Sequence, residues 1–283
     1  MKLARPDVFH PRIVLAGCPA LPAGERDDDA LVPALAARGL HARWRSWDAP
    51  ELGAADLVIP RCATGYADRL AEFRAVVAAP NVLLDPATLD WNSDRRCLLE
   101  LAERGVPVVP TAVAGPDGQP VDGPAGPLVV SPAVGSGVRR FAEPAAAAHY
   151  AGQLHRAGRV ALVQPYLSGP RTALVFLAGR PSHAFTAAGA VDADFTLWDL
   201  AAAALAAAAE RLGVAVTDFL TARAELVGAV GAARLLRLHL IAPRLGWLAL
   251  DSAARAARQR EFALAVESVL QRRGLGPLSH RRP

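Results

Sequence analysis

The stretch Leu128-Val129-Val130-Ser131-Pro132-Ala133-Val134-Gly135-Ser136-Gly137-Val138-Arg139-Arg140 decides how the rest of the chain is read. Its first residues have the apolar character of a buried strand, and Pro132, which lacks a ladder donor, stops it. Gly135-Ser136-Gly137 then make a short loop closed by two arginines. A glycine loop leaving a strand lets backbone N–H groups converge on an anion, although Gly-Ser-Gly is equally an ordinary turn. A phosphate enzyme would place a cation at the end of such a strand. This chain has the small hydroxyl of Ser131 there.

Around that stretch lie 283 residues, 52% of them hydrophobic, enough for one large domain or two to three small ones with real cores. The longest unbroken apolar run, 200–209, is nearly all alanine and too short to span a bilayer. No cationic-then-apolar leader opens the sequence, so a cytoplasmic protein without a membrane partner is expected. Cys18, Cys62 and Cys97 are odd in number and lack metal-ligand spacing, which suits free thiols in a reducing compartment. The net charge of +4 comes from arginines spread along the chain, and aromatics (6%) do not interleave with them, so nucleic acid is not expected as a partner. Lys2 is the only lysine. Surface lysines drift easily to arginine, but a catalytic ammonium is not replaced by a planar guanidinium without consequence.

Strands are expected at 12–16, around Trp44 and Trp47, at 56–60 and at 81–84, with helices over 27–38 and 67–78. That alternation implies a parallel sheet. Asp85-Pro86 marks a boundary, after which Asp90-Trp91-Asn92-Ser93 reads as the cap of a helix running to Arg104. Strands at 108–109 and 128–130 flank a Pro/Gly-rich turn from Gly115 to Pro127; a helix over 145–157 and a strand over 160–164 follow. Strands at 172–177, 182–185, 221–227 and 234–241, with helices over 200–212 and 253–272, complete the chain. The expected organisation is an α/β (α+β) protein: a Rossmann-like domain over 1–87 and two α+β subdomains over 88–163 and 164–283.

Five ordered segments carry a resemblance that covers nearly the whole chain. They are Asp90 to Ala102, Gly105 to Thr111, Leu128 to Gly137, Val163-Gln164-Pro165-Tyr166-Leu167, and Thr172 to Ala184. Together they resemble the ATP-grasp superfamily, and within it the bacterial ligases related to glutathione synthase and to enzymes that append amino acids to carboxylates. The resemblance implies an ATP-grasp fold in which the two α+β subdomains clamp ATP behind the Rossmann-like domain. It also implies a reaction in which a carboxylate is phosphorylated and an amine displaces the phosphate. Lysines would hold the nucleotide, and acids on the last two strands would hold magnesium. The implied nucleotide positions here are Arg95, Ser131, Gly135, Ser136, Gly137, Arg139 and Gln164.

The departures from that pattern matter more than the matches. Arg95 and Ser131 stand where the family has lysines, and Phe185-Thr186 where it has a basic pair. Glu225 replaces an expected aspartate, while Arg237, His239 and Ala242 stand where glutamates are expected. If the turn at Gly228–Gly231 makes the last strands a hairpin, Arg223 and Glu225 share one face with Arg237 and His239. This is either a plain cross-strand ion pair worth roughly 0.2–1 kcal/mol or a site where a guanidinium fills a metal's volume. Both readings oppose magnesium, whose oxygen shell one carboxylate cannot supply.

The first expectation is therefore a repurposed fold: an ATP-independent enzyme or a binder of a small acidic molecule, in specialised biosynthesis, with no cofactor. Its candidate catalytic groups are His183, His239, Glu225 and Arg237, and its candidate substrate-binding groups are Arg61, Tyr66 and Arg171. Arg61 could instead pair with Asp56 or Asp68, and each histidine could be purely structural. Two further readings are a non-catalytic partner of another enzyme, or a homo-oligomer, and a working ligase. The ligase would use ATP and magnesium with Arg95, Arg139 and Arg140 in place of lysines.

Overall fold

A computed structural model describes residues 10–62, 64–115 and 126–276. At the N-terminal end β1 (Ile13–Gly17), β2 (Ala42–Ser46) and β3 (Leu57–Pro60) form a parallel sheet in the order β2-β1-β3. Helices α1 (Leu31–Ala36) and α2 (Leu70–Val77) accompany it. β1 and β3 are apolar and buried throughout, as a parallel sheet covered on both faces requires.

Two expectations fail here. The helix expected over 27–38 is split into a 3-10 turn at Arg26–Asp28 and α1, because Asp27 and Asp28 turn into the interior. The fourth strand at 81–84 contributes a single parallel bridge, Val58 to Val82. Pro80 lacks a donor and Asp85 is already committed to the next helix, so only the bonds Val58 N to Asn81 O (2.8 Å) and Leu83 N to Val58 O (2.7 Å) form.

That next helix, α3 (Pro86–Asn92), begins earlier than expected. Asp85 caps it by accepting from the N–H groups of Ala87 and Thr88, with Pro86 at the first position. Asp90 to Ser93 therefore end one helix, and a turn over 93–96 separates it from α4 (Cys97–Glu103).

An antiparallel sheet follows, in the order β4-β7-β5-β6, from β4 (Ala112–Val113), β5 (Leu128–Pro132), β6 (Arg139–Phe141) and β7 (Ala161–Pro165). Most of the Gly115–Pro127 turn lies outside the described residues. The strand expected at 108–109 is again a single bridge, from Val108 to Leu235. Leu128, Val130, Ala161 and Val163 pack on Tyr150 and Leu154 of α5 (Pro144–Arg156). Alternation then turns Val129, Ser131 and Gln164 to the opposite face, with Arg140 in register with Val129.

The last sheet contains β8 (Arg171–Leu177), β9 (Arg180–Thr186), β10 (Gly189–Val191), β11 (Thr221–Val227) and β12 (Arg234–His239), all antiparallel, in the order β10-β9-β8-β11-β12. The alanine-rich α6 (Phe195–Leu212) lays Ala201, Ala204 and Ala208 on Leu174, Ala222, Ala224 and Leu226, small residues that allow a close approach. α7 (Ser252–Arg272) covers part of the other face, joining Val175 and Leu177 to Ile13 and Leu15 of β1 through Phe262 and Val266. The rest of that face carries Arg171, Arg223, Glu225, Arg237 and His239.

A bulge makes that face possible. Glu225 pairs with Arg237, yet Leu226 pairs with Leu235, which leaves Leu236 as an extra residue. Without it, Leu235 and Arg237 would share one face. With it, Leu235 and Leu238 both reach the core under α6 while Arg237 and His239 both turn away.

Candidate functional site

The polar face of β12 meets the turn between α3 and α4 and the glycine loop after β5. Asn92 fixes the first junction: its Nδ2 donates to Leu238 O (3.0 Å) and its Oδ1 accepts from Leu240 N (2.8 Å). Arg95 fixes the second. Its backbone N–H donates to Ala133 O (2.8 Å), and its guanidinium Nη1 donates to Pro132 O (2.6 Å). The three parts enclose a cavity of about 270 Å³ lined by Tyr66, Arg95, Gly135, Ser136, Arg237 and His239, with Ser93 and Cys97 beside them.

Its charges are unequal. Glu225, behind the wall, is held by Arg223 Nη2 at 2.5 Å and lies 3.2 Å from His239 Nε2. That histidine contact is close enough for an ion pair but has no hydrogen-bond alignment. Burial acts to raise the Glu225 pKa; contact with His239 and the charges of Arg223 and Arg237 outweigh it and bring it to about 2. Burial pushes His239 down, so the ring is neutral near pH 7 and Glu225 carries the pair's charge. Arg95 falls to about 10, first through burial and then through repulsion by Arg237, and so stays cationic at neutral pH. Burial lifts Tyr66 and Cys97 to about 12 each, leaving a neutral phenol and a neutral thiol. Among the described residues Arg237 has no hydrogen-bond or ion-pair partner, and it faces the cavity with Arg95.

The glycine loop is folded but occupied. Arg159 donates from Nη2 to Val134 O (3.0 Å) and Ser136 O (2.7 Å). Tyr150 donates its hydroxyl to Gly137 O (2.7 Å), and a side chain at Gly137, where φ is +115°, would meet that hydroxyl at 2.9 Å. Arginines and a tyrosine thus bind the carbonyls of this stretch. Nothing in the sequence around Arg159 pointed to that role.

Other expected residues are placed elsewhere. Arg61 is not a substrate ligand, because its side chain is fully buried. Its Nη2 donates to both oxygens of Asp28 (3.1 Å each) and to Pro243 O (3.1 Å). The partners proposed for it, Asp56 and Asp68, do not bind it; Asp56 accepts from Arg12 instead. His183 is 7% exposed, and its Nε2 lies 2.7 Å from Leu245 O with Ser182 Oγ 3.0 Å from Nδ1. Both ring nitrogens are taken, and burial pushes its pKa down, so it is a structural histidine. Arg171 lies exposed at the start of β8, opposite Val227 and outside the cavity wall. Ser131, 5% exposed, and Gln164, which donates to Thr111 Oγ1 (2.9 Å), lie on the face of the second sheet away from α5. Arg139 stacks on Tyr150 at 4.6 Å and Arg140 on Tyr166 at 3.6 Å.

Comparison with known proteins is consistent across the chain. Residues 13–84 match the family profile of the N-terminal domain of the D-cycloserine synthetase DcsG. The cycloserine biosynthesis protein DcsG of Streptomyces lavendulae is 31% identical over 232 residues, 67% of this chain and 77% of that protein. The crystal structure of D-cycloserine synthetase DcsG superposes with a TM-score of 0.78 at 27% identity, over 92% of this chain and 99% of that one. A RimK-domain ATP-grasp protein from Sphaerobacter thermophilus gives 0.63 at 24% identity (89% and 99% covered). The D-alanine–D-alanine ligase of Bacillus anthracis, in complex with ATP, gives 0.65 at 13% (93% and 98% covered), a likeness of fold.

Proposed function

The chain belongs to the ligase-like ATP-grasp family, and from that premise we propose that it has kept the fold while giving up magnesium-dependent ATP ligation. In this reading it is an ATP-independent enzyme or binder of a small acidic molecule, held in the cavity beside β12. The observation that carries the proposal is the state of Glu225. It is the carboxylate of the metal strands, and Arg223 and His239 already occupy it, with Arg237 opposite. Magnesium needs an octahedral oxygen shell, commonly one or two carboxylates plus phosphates and waters. A carboxylate held by a guanidinium 2.5 Å away does not fit that requirement. Among the described residues no three His, Cys, Asp or Glu side chains converge there. Phosphoryl transfer depends almost wholly on such charge stabilisation.

Size and charge support the acidic ligand. The cavity, about 270 Å³, lies just under the roughly 300–1,000 Å³ of most small-molecule pockets. Arg95 and Arg237 both face it. Arg237 offers an unengaged planar fork of the kind that takes a carboxylate bidentately. In the enzymatic version His239 is the proton acceptor, a neutral imidazole beside an ionised carboxylate, and Tyr66 is a neutral donor on the opposite wall.

Similarity to DcsG and to the ATP-bound ligase favours a second reading, an active ligase in which arginines replace lysines. Calorimetric titration separates the two. ATP and ADP, with and without magnesium, are expected to give no magnesium-dependent heat, whereas a small dicarboxylate such as succinate binds and raises the melting temperature. Magnesium-dependent ATP binding, with ADP released on adding a carboxylate and an amine, would establish the ligase instead.

A further inference from the structure

Away from this cavity, Cys18 and Cys62 stand side by side with their sulfur atoms 3.3 Å apart. Their meeting follows from sheet register. β1 and β3 pair in parallel with a constant offset, Ile13 to Leu57 through Ala16 to Pro60. Two residues further on, that offset sets Cys18 opposite Cys62. Neighbouring strands run about 4.7–4.9 Å apart, inside the Cα separation of roughly 4.4–6.8 Å that a disulfide spans. Both residues belong to one apolar cluster with Trp47 and Phe73, where two thiols could serve simply as small hydrophobes.

Two observations point beyond packing. The first is the direct sulfur–sulfur contact. The second is a cavity close by: neither buried sulfur lines it, but neighbours of both do. Cys62 Sγ lies 3.6 Å from Thr64 Oγ1 and 3.9 Å from Glu25 Oε1. Cys18 bridges to Leu21. Thr64, Glu25 and Leu21 all line an open cavity of about 860 Å³ on this side of the sheet. Cys97, buried beside the other cavity, has no cysteine neighbour among the described residues.

We propose that Cys18 and Cys62 are a thiol pair that closes to a reversible disulfide when a hydroperoxide enters that cavity. The Cys62 sulfur attacks one peroxide oxygen, the O–O bond breaks, and with hydrogen peroxide a first water leaves as Cys62 becomes a sulfenic acid. The Cys18 sulfur attacks the Cys62 sulfur, the S–O bond breaks, the S–S bond forms, and a second water carries off the Cys18 proton. One peroxide is reduced and two thiols are oxidised; a dithiol reductant reverses the change by exchange. The bond ties the end of β1 to the segment that reaches the other cavity at Gly65 and Tyr66.

The test uses the folded, full-length protein and hydrogen peroxide, followed by thiol counting after denaturation and intact-mass measurement. The count is expected to fall from three free thiols to one. The mass should drop by two hydrogens, a digest should yield a Cys18–Cys62 cross-linked peptide, and dithiothreitol should restore all three thiols. Cys62→Ser is expected to retain both remaining thiols unlinked. Three free thiols after treatment, a link that includes Cys97, or a mass that gains oxygen without losing hydrogen would each overturn the proposal. The wild-type measurement decides it even if the variant fails to fold.

Discussion

Arg61 and Arg223 each bind a carboxylate, and each also donates to a carbonyl of the same loop, Arg61 to Pro243 O (3.1 Å) and Arg223 to Arg244 O (2.7 Å). Their surroundings differ. The Arg61–Asp28 side chains are 0% and 4% exposed, and Asp28 also accepts from Trp247 Nε1 (3.1 Å). That pair closes on itself and holds the N-terminal sheet to the loop after β12. The Arg223–Glu225 side chains are 13% and 31% exposed, share their carboxylate with His239, and have Arg237 left over beside a cavity. One chemistry serves as a closed clasp in the first setting and lies beside a cavity with further arginines in the second.

The largest expected effect breaks the clasp. Asp28→Ala leaves a buried guanidinium without its carboxylate and should cost about 3–5 kcal/mol in urea unfolding. The double change Asp28→Leu, Arg61→Met should recover most of that, since removing both charges also removes their desolvation cost. A double variant as unstable as the single would contradict the account. Glu225→Gln should be milder, about 1.5–3 kcal/mol, because the charged hydrogen bond it loses is partly hydrated. It should also tighten succinate binding by removing the site's negative charge. Weaker succinate binding would mean that Glu225 is not what opposes an acidic ligand.

Arg237→Ala sharpens the comparison by separating stability from binding. With no hydrogen-bond or ion-pair contact among the described residues, and only its charge acting on Glu225, its loss should change stability by about 0.5 kcal/mol. Succinate affinity should fall roughly tenfold, about 1.4 kcal/mol. Unchanged affinity would remove Arg237 from the site. The gentlest effect is on pH. Burial first of all holds His183 and His239 below the usual histidine range. The unfolded chain therefore takes up protons before the folded one, and stability should be full above about pH 6.5 and decline as pH falls toward their lowered values. Glu225 adds a later loss, beginning near its ordinary 4.5 and continuing toward about 2. Thermal melts from pH 8 to 4 would expose a flat profile, which would refute the histidine assignment.

Much of the architecture is legible in the residues themselves. Leu57–Pro60 is a short unbroken apolar run and Thr221–Val227 alternates, and tertiary context overrides neither strand. The strand at 81–84 and the helix at 27–38 mislead because flanking proline and inward-turned aspartates redirect hydrogen bonds that pattern alone assigns to regular structure. The facing of Glu225 with Arg237 and His239 could be anticipated from alternation. The bulge at Leu236, which no residue type there announces, is what lets Leu235 reach the core as well.

By itself, then, the sequence determined which residues are present: a glycine loop preceded by Ser131, and a last pair of strands with one acid among arginines and a histidine. Alternation and composition are local properties, and local physics suffices for them. Only the tertiary structure decided which cations are spent. Arg61, Arg95 and Arg159 find carboxylate or carbonyl partners from other segments, while Arg237 finds no hydrogen-bond or ion-pair partner among the described residues. Pairing between residues 33 to 219 positions apart, such as Asp28 with Arg61 and with Trp247, depends on how layers pack, and no spacing in the chain encodes it.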